Sequence, residues 1–321
     1  MSDKLQKTIA RFQSRIDNKD FYEAHQTLRT ITNRYVKSKQ YSSAIDLLYQ
    51  GSTILAKNKE YASASDLIVY LISVYEESNT PCSGAGDARQ YRTKIIELVS
   101  LLPDTDPSLG DLSKRALQWS INFGEVKSIF GDSHLHHVFG VKLLNASAAQ
   151  PSEEEKHKFF TVAELHLVLG TYESLPAYID FLYKWYETSG GDPGLYLSRA
   201  VVNYAYLKNV KFVHTAINLF LARYLAAEKE NVEELQEEGQ KLFFFESSKL
   251  LNFLQLLAIT LDKSDAGDKF MKLYSNYKPL ISQQGLINPM DYLGRLFFNL
   301  KLGNTSGGGN MLANMMGSLF K

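Results

Sequence analysis

Hydrophobic and aromatic residues near the start of the chain follow a pattern that repeats every twenty residues. The segments Asn18–Ala24, Ser38–Ala44 and Asn58–Ala64 each open with a polar turn and a Lys, continue with an aromatic residue and reach Ala three positions later. An aliphatic residue follows each Ala by four positions, at Leu28, Leu48 and Ile68. Spacings of three and four place these side chains on one helical face. The pattern therefore predicts stacked helical hairpins, the arrangement of an α-solenoid that binds proteins.

Helical periodicity continues along most of the chain, with one interruption. Residues 231–239 are acidic and polar, and they precede the aromatic run Lys241–Glu246, which is more typical of a strand or hairpin than of a helix, although a helix also fits. The Gly-rich segment 303–310 opens a tail that we expect to be flexible. Helices are predicted at 4–17, 20–37, 40–57, 60–78, 88–101, 109–123, 134–144, 156–170, 174–188, 193–208, 210–227, 250–261, 265–276 and 289–302.

These elements predict an all-α fold, a right-handed α-solenoid of TPR-like helical hairpins with a small β-hairpin in the C-terminal half. We expect an N-terminal block of helical repeats over 1–150 and a C-terminal block over 151–302. The hairpin is expected near 241–249, and the flexible tail over 303–321. A solenoid offers no clean domain boundary, so this division follows the loop between two predicted helices.

Composition narrows the class of function. The chain has 321 residues, 45% of them hydrophobic, and its 35 basic residues balance its 35 acidic ones, which argues against a general nucleic-acid or membrane-surface binder. Residues 1–60 nevertheless carry eleven Lys or Arg and six acids, whereas 225–268 carry four basic residues and ten acids. The two ends should therefore prefer different partners.

The number of cysteines and the length of the apolar runs indicate the cellular compartment. Cys82 is the only cysteine, so the chain has no disulfide framework and no Cys-based zinc site, and a reducing compartment is expected. No apolar run approaches the ~18 residues that a membrane span needs. We expect a cytosolic protein that is not inserted into a membrane.

One cluster of histidines raises the question of metal chemistry. His134, His136 and His137 lie close to Asp132. On a helix His134 and His137 share a face while His136 points elsewhere, which falls short of a tetrahedral zinc set. Packing and helix-start histidines are the alternative to a metal-dependent hydrolase. We predict no metal site, no cofactor and no catalytic residue.

One face of the second predicted helix carries residue types that are common in binding sites. If the apolar residues of this helix face inward, then Tyr22, Gln26, Arg29 and Asn33 form a stripe on the opposite side. Exposed Tyr and Arg are enriched in protein-binding hot spots, although a merely solvated helix face fits the pattern equally well.

The run Asp20–Tyr35 closely resembles the signature of the Golgi-to-ER traffic protein 4 family, the cytosolic adaptor of tail-anchored membrane protein targeting. Further matches lie at Asp66–Leu71, Gly131–His136 and Leu251–Leu257, in the family's order, so the likeness spans roughly residues 5 to 300 and indicates a fungal-like member. The resemblance implies an all-helical scaffold with a β-hairpin in its C-terminal half, for which the Lys241 region is the place.

The resemblance also implies two protein partners. The N-terminal half would bind the dimeric ATPase that carries tail-anchored proteins, and the C-terminal half would hold the N-terminal segment of a ubiquitin-like-domain protein that links to a co-chaperone. The adaptor would catalyse nothing and would bias the ATPase toward its nucleotide-bound state. An adaptor of another trafficking or degradation complex is the alternative.

Two sets of residues are candidates for these interfaces. For the ATPase they are the stripe on the second helix and Asp66, which could contact a basic residue of the partner or could be a solvated helix charge. The candidates for the ubiquitin-like partner would line a groove for an amphipathic segment, with an ordinary core hairpin as the alternative. They are Phe243, Phe244, Phe245, Phe253, Leu254 and Leu257.

Overall fold

A computed structural model describes residues 3–84, 88–125, 128–227, 232–237 and 240–302. The described residues form fourteen α-helices and one two-stranded antiparallel sheet, which confirms the all-α class with a small hairpin in the C-terminal half. The predicted flexible tail, 303–321, lies outside the described residues. The chain divides into two compact units that meet in sequence between Thr171 and Tyr172.

The first unit contains eight helices. They are α1 (Asp3–Asp17), α2 (Phe21–Lys37), α3 (Tyr41–Lys57), α4 (Tyr61–Glu77), α5 (Ala88–Leu101), α6 (Leu109–Phe123), α7 (Ser133–Ala148) and α8 (Glu153–Leu169). Most consecutive helices pack on one another, but α5 packs mainly on α3 and α7, which lie two places away, and α4 likewise packs on α6. The predicted boundary at residue 150 precedes α8, but α8 packs extensively on α7 and belongs to this unit.

The second unit contains six helices and the hairpin. The elements are α9 (Ser174–Ser189), α10 (Pro193–Tyr206), α11 (Val210–Ala227), β1 (Glu233–Glu237), β2 (Gln240–Phe244), α12 (Lys249–Leu261), α13 (Gly267–Gln283) and α14 (Ile287–Phe298). Helix α10 lies at the centre of the unit and contacts α9, α11, α12 and α14.

The repeated residues form the core of the first unit, as the periodicity predicts. Ala24, Ala44 and Ala64 have no exposed surface, because their small side chains let neighbouring helices approach closely. The aliphatic residues four positions later are also buried, and the aromatic residues that open each repeat are half-buried at the rim of the core. Local spacing alone thus determines which face of each repeat helix is covered.

The turns between the repeat helices share one geometry. Lys19, Lys39 and Lys59 all have positive φ, at 64°, 58° and 65°. In each turn the next residue donates its N–H to the carbonyl five positions back, for example Glu60 to Leu55 at 3.0 Å. This hydrogen bond satisfies a helix-end carbonyl, as in a Schellman motif, so the recurring polar turn ends one helix and starts the next.

Charged pairs join helices two places apart in the first unit. Lys94 of α5 binds Asp46 of α3 at 3.3 Å, and Arg92 of α5 binds Asp132, which caps the start of α7, at 2.8 Å. The partners in these two pairs lie 48 and 40 residues apart in sequence, the length of two repeats or slightly more. The stacking of alternate helices therefore decides which charges meet.

The hairpin begins earlier than the sequence predicts. It covers 233–244, with Glu233 opposite Phe244 and Leu235 opposite Leu242, whereas the prediction placed it near 241–249. The first strand comes from the acidic stretch that the sequence indicated only as polar. A strand exposed to solvent tolerates charged residues, so its composition carries little strand signal.

Candidate functional site

The predicted stripe on α2 is a surface feature. Tyr22 is 75% exposed, and Gln26 and Asn33 are also exposed. Arg29 differs because it is only partly exposed and turns toward α4. We call these four residues, together with Asp66, the α2 face.

Asp66 of α4 joins the α2 face through two side chains of α2. Its Oδ2 accepts a hydrogen bond from Nη1 of Arg29, and Nε2 of His25 lies 2.7 Å from the same oxygen. The Arg29 guanidinium also lies over the ring of Tyr70, 5.3 Å from its centroid. Arg29 is therefore held between a carboxylate and an aromatic ring of α4, an arrangement that fixes its direction.

The surroundings of Asp66 favour its charged form. Partial burial acts to raise the pKa of the carboxyl, but the hydrogen bonds and positive charges of Arg29 and His25 outweigh it, so the pKa is lowered. The side chain keeps 40% of its surface exposed. Asp66 thus presents a partly accessible carboxylate whose position is set from α2.

Sequence reasoning expected Asp66 either to contact a basic residue of the partner protein or to be a solvated helix charge, and it omitted His25. The structure gives Asp66 its partners from α2 instead, 37 and 41 residues away. The missed signal is the repeat itself. Asp66 lies two residues after its repeat Ala, as Asp46 does, and both bind a basic residue of a helix two places away.

In the second unit, the hairpin is held against α12 by two side-chain amides. Gln255 accepts a hydrogen bond from the N–H of Phe243 at 2.9 Å and donates one to its carbonyl at 2.8 Å. Asn252, one helical turn earlier, does the same for Phe245, again at 2.9 and 2.8 Å. These amides act as a second neighbouring strand, on the edge of β2 that does not pair with β1, since each pairs with both backbone groups of one residue.

A groove of about 370 Å³ lies between α11, β2 and α12. Polar and apolar side chains contribute similar shares of its surface, and the polar ones are His214, Asn218, Lys241 and Gln255. We call it the hairpin groove. Its apolar lining comes mainly from Ile217, Leu221, Leu242, Phe243, Ala258 and Ile259.

The groove and the predicted residues coincide only in part. Phe243 lines the hairpin groove, whereas Phe244 is 46% exposed and lies outside its lining. The other predicted residues are buried in the core, with Phe245 packed edge-on against Tyr224 at 5.5 Å between ring centroids. These core residues, which cannot line a groove in this structure, are Phe245, Phe253, Leu254 and Leu257.

The histidine cluster is a packing feature. His136 is fully buried, its Nδ1 lies 2.9 Å from Nδ1 of His166 on α8, and its Nε2 lies 2.9 Å from the carbonyl oxygen of Phe130. His134 is exposed, and Asp132 accepts hydrogen bonds from the N–H groups of His134 and Leu135 as an N-cap. Within the described residues, no three His, Cys, Asp or Glu side chains are grouped to hold a metal ion.

Comparison with known proteins assigns the family. The family model described as Golgi to ER traffic protein 4 matches residues 38–320. The chain belongs to the Golgi to ER traffic protein 4 family. No helix in the described part of this family member has both the length and the apolar character needed to cross a membrane.

Relatives within the Golgi to ER traffic protein 4 family align over almost the whole chain. The protein of that name from Aspergillus fumigatus is 32% identical, with 99% of this chain and 90% of the relative covered. The one from Schizosaccharomyces pombe is 28% identical, with 97% and 94% covered. The crystal structure of C. therm. Get4 matches with a TM-score of 0.82 at 28% identity, covering 99% of this chain and 96% of that one.

Proposed function

We propose that this chain is a non-enzymatic adaptor of the tail-anchored protein pathway. It bridges the targeting ATPase and a ubiquitin-like-domain co-chaperone protein, and it promotes delivery of tail-anchored proteins to the ER membrane. Family membership supports the pathway, and the presence of a separate candidate surface in each compact unit supports the bridging role. We propose that it acts in the cytosol.

The α2 face is the proposed site for the ATPase. It combines an exposed Tyr with an Arg and an Asp whose positions are fixed by mutual hydrogen bonds. Large side chains held in one conformation lose little entropy on binding, which favours them as anchors. The local excess of basic residues in 1–60 adds attraction for an acidic partner surface.

The hairpin groove is the proposed site for the N-terminal segment of the ubiquitin-like-domain protein. Its lining combines apolar side chains with polar ones and comes from α11, β2 and α12, with β2 hydrogen-bonded to α12. A groove of this kind accepts the apolar face of an amphipathic helix. The buried residues of this chain that the sequence predicted for the same interface act indirectly, by supporting the groove from the core. They are Phe245, Phe253, Leu254 and Leu257.

Reconstitution from purified components tests the bridge. The full chain is mixed with the recombinant ATPase and the ubiquitin-like protein, and the masses of the complexes are measured by light scattering after size exclusion. We expect a complex that contains all three proteins. Partners that displace each other, or binding of neither partner, would contradict the bridging function.

Two variants assign the surfaces. Tyr22→Ala should weaken ATPase binding by roughly 1 kcal/mol or more while partner binding at the hairpin groove is unchanged. Asn218, which is exposed on α11 and lines the groove, offers the converse test, because Asn218→Trp fills the groove from a solvated position. Asn218→Trp should abolish binding of the ubiquitin-like protein and leave binding of the ATPase unchanged. Tyr172→Ala, at another exposed tyrosine, is the control.

Asp66 is proposed to regulate as well as bind. Asp66→Lys should impair the control of ATP hydrolysis more than the formation of the complex, because it reverses a charge that Arg29 and His25 hold in place. Hydrolysis rates of the ATPase are compared with wild-type and variant adaptor at saturating concentrations. Equal rates would refute the regulatory role of this carboxylate.

A role in another trafficking or degradation complex is the rival function. It predicts that capture from cytosol, followed by mass spectrometry, recovers proteins other than the ATPase and the ubiquitin-like protein. Recovery of those two, with loss of one by Tyr22→Ala and of the other by Asn218→Trp, would exclude the rival.

A further inference from the structure

A second groove in the first unit lies beside Asp66 and includes none of the four α2 residues of the α2 face. It has a volume of about 560 Å³ and separates α4 from the loop that joins α5 to α6. Tyr61, Ala62, Asp66 and Val69 form its α4 wall. The opposite wall is formed by Pro103 and residues 105–108, and we call the cavity the loop groove.

The loop that forms this wall is anchored from two sides. Nζ of Lys142, a buried side chain of α7, donates to the carbonyl of Leu102 and to Oδ1 of Asp104, both at 2.7 Å. Asn145 donates to the other oxygen of Asp104 at 2.9 Å. The hydroxyl oxygen of Ser108, at the end of the loop, lies 2.9 Å from the hydroxyl oxygen of Ser65 of α4. The groove is therefore formed before any partner arrives.

The charged side chains that line the loop groove are the carboxylates of Asp66 and Asp106, and Arg29 and His25 offset part of the charge of Asp66 from outside the lining. Both hydrogen bonds to Asp66 use Oδ2, and those to Asp106, from the N–H and the hydroxyl of Ser108, use Oδ1. Among the described residues no donor binds Oδ1 of Asp66 or Oδ2 of Asp106. The lining contains no Lys or Arg. Two carboxylates that each retain unused acceptor capacity thus line one cavity, which favours a cationic occupant.

Most of the surface of the loop groove is apolar, which narrows the chemistry of the occupant. Tyr61 and Val69 stand on one wall, and Pro103 and Pro107 on the other. A Lys or Arg side chain has a methylene stem that packs on apolar surface and a charged head that binds carboxylates. A small metal ion would leave the apolar walls unused, and an anion would be repelled.

We propose that the loop groove receives a lysine or arginine side chain from the protein that binds the α2 face. The loop wall, including Thr105, Asp106 and Pro107, is then part of the interface, and Asp66 belongs to both surfaces. This inference rests on the proposed function, because the partner is taken to be the targeting ATPase.

Opposite charges introduced at one position give the sharpest test. Thr105 is exposed on the loop wall, so its substitution disturbs little of the fold. Thr105→Lys should weaken binding of the recombinant ATPase by about threefold or more, and Thr105→Glu should strengthen it by a similar factor, because each charge acts on a cation bound nearby. Affinities are measured by calorimetry on the full chain in low salt, and the two shifts should shrink in high salt.

Thr161 supplies the matched control. It is an exposed threonine of α8 and lies outside the groove lining, so Thr161→Lys and Thr161→Glu make the same changes in net charge. Both control variants should bind the ATPase like wild type. If the Thr161 pair reproduces the Thr105 shifts, net charge explains them and the groove proposal is wrong.

A steric variant tests the cavity without using charge. Ala62 is exposed and lines the groove, so Ala62→Trp fills it from a solvated position, while Ala222→Trp on α11 adds the same side chain elsewhere. Only Ala62→Trp should lower ATPase affinity. Wild-type affinity in all Thr105 and Ala62 variants would overturn the loop-groove assignment alone, whereas failure of the wild-type chain to bind the ATPase would overturn the proposed function with it.

Discussion

Acid should destabilise the first unit through the buried pair His136 and His166. The carbonyl of Phe130 can only accept a hydrogen bond, so His136 carries its proton on Nε2 and its Nδ1 accepts from Nδ1–H of His166. Both rings are then neutral. Burial lowers the pKa of His136 to about 4, against the ordinary value of 6.5, and lowers the pKa of His166 in the same direction.

The direction of the pH effect follows from proton binding. Below pH 6.5 the unfolded chain takes up protons on these histidines that the folded chain does not, so stability is complete above pH 6.5 and is lost as pH falls toward 4. For His136 alone, the loss between pH 7.5 and pH 5 is about 2 kcal/mol of unfolding free energy. His166 adds to it.

Urea unfolding monitored by tryptophan fluorescence measures this loss. The chain contains two tryptophans, and Trp185→Phe leaves Trp119, which is fully buried in the same unit as both histidines, as the reporter. The control is the double variant His136→Gln with His166→Leu, which lacks both titrating groups. Its unfolding free energy should fall less between pH 7.5 and pH 5. If the unfolding free energy falls equally with pH in the protein that keeps both histidines and in the double variant, the assignment of the acid effect to His136 and His166 is wrong.

Two further predictions concern packing and turns. Gly194→Ala should destabilise the second unit by about 1–3 kcal/mol, because a Cβ there would lie 2.9 Å from the backbone nitrogen of Leu251. Gly110→Ala is the control and should not destabilise the protein, because a Cβ at Gly110 meets no atom within 4 Å. Melting temperatures of the two variants are measured by calorimetry. Lys59→Gly should raise the unfolding free energy by roughly 0.5 kcal/mol, because Lys59 has a φ of 65° that glycine adopts without strain. Lys57→Gly, inside the last turn of α3, should lower the unfolding free energy by about 1 kcal/mol. Urea titrations measure both variants, and a lower unfolding free energy for Lys59→Gly as well as Lys57→Gly would contradict the reasoning.

The helices could be predicted because their signals are local. Spacings of three and four residues place the repeat alanines on the covered face, and the polar turn with its Lys marks each boundary. The same periodicity correctly predicted the exposure of Tyr22, Gln26 and Asn33. The first strand of the hairpin was missed because an exposed, acidic strand has no apolar alternation to detect.

The candidate groove in the second unit could be predicted only in outline. An aromatic run next to an apolar helix indicates a packed hairpin. Phe243 and Phe253 are the same residue type, however, so residue type does not show which of them lines the groove and which lies in the core. The structure separates them because Asn252 and Gln255 set how β2 lies on α12. Phe243 then borders the groove while Phe253 is buried.

The sequence by itself determined the class of fold, the helices and the family resemblance, since all of these depend on residues close together in the chain. The tertiary structure decided which side chains meet. Asp66 binds Arg29 and His25, and His136 meets His166, across 30 to 41 residues. Periodicity shows which side of a helix is covered but not which helix covers it. That choice comes from the stacking of neighbouring and alternate helices, and it places the carboxylate of Asp66 beside both the α2 face and the loop groove.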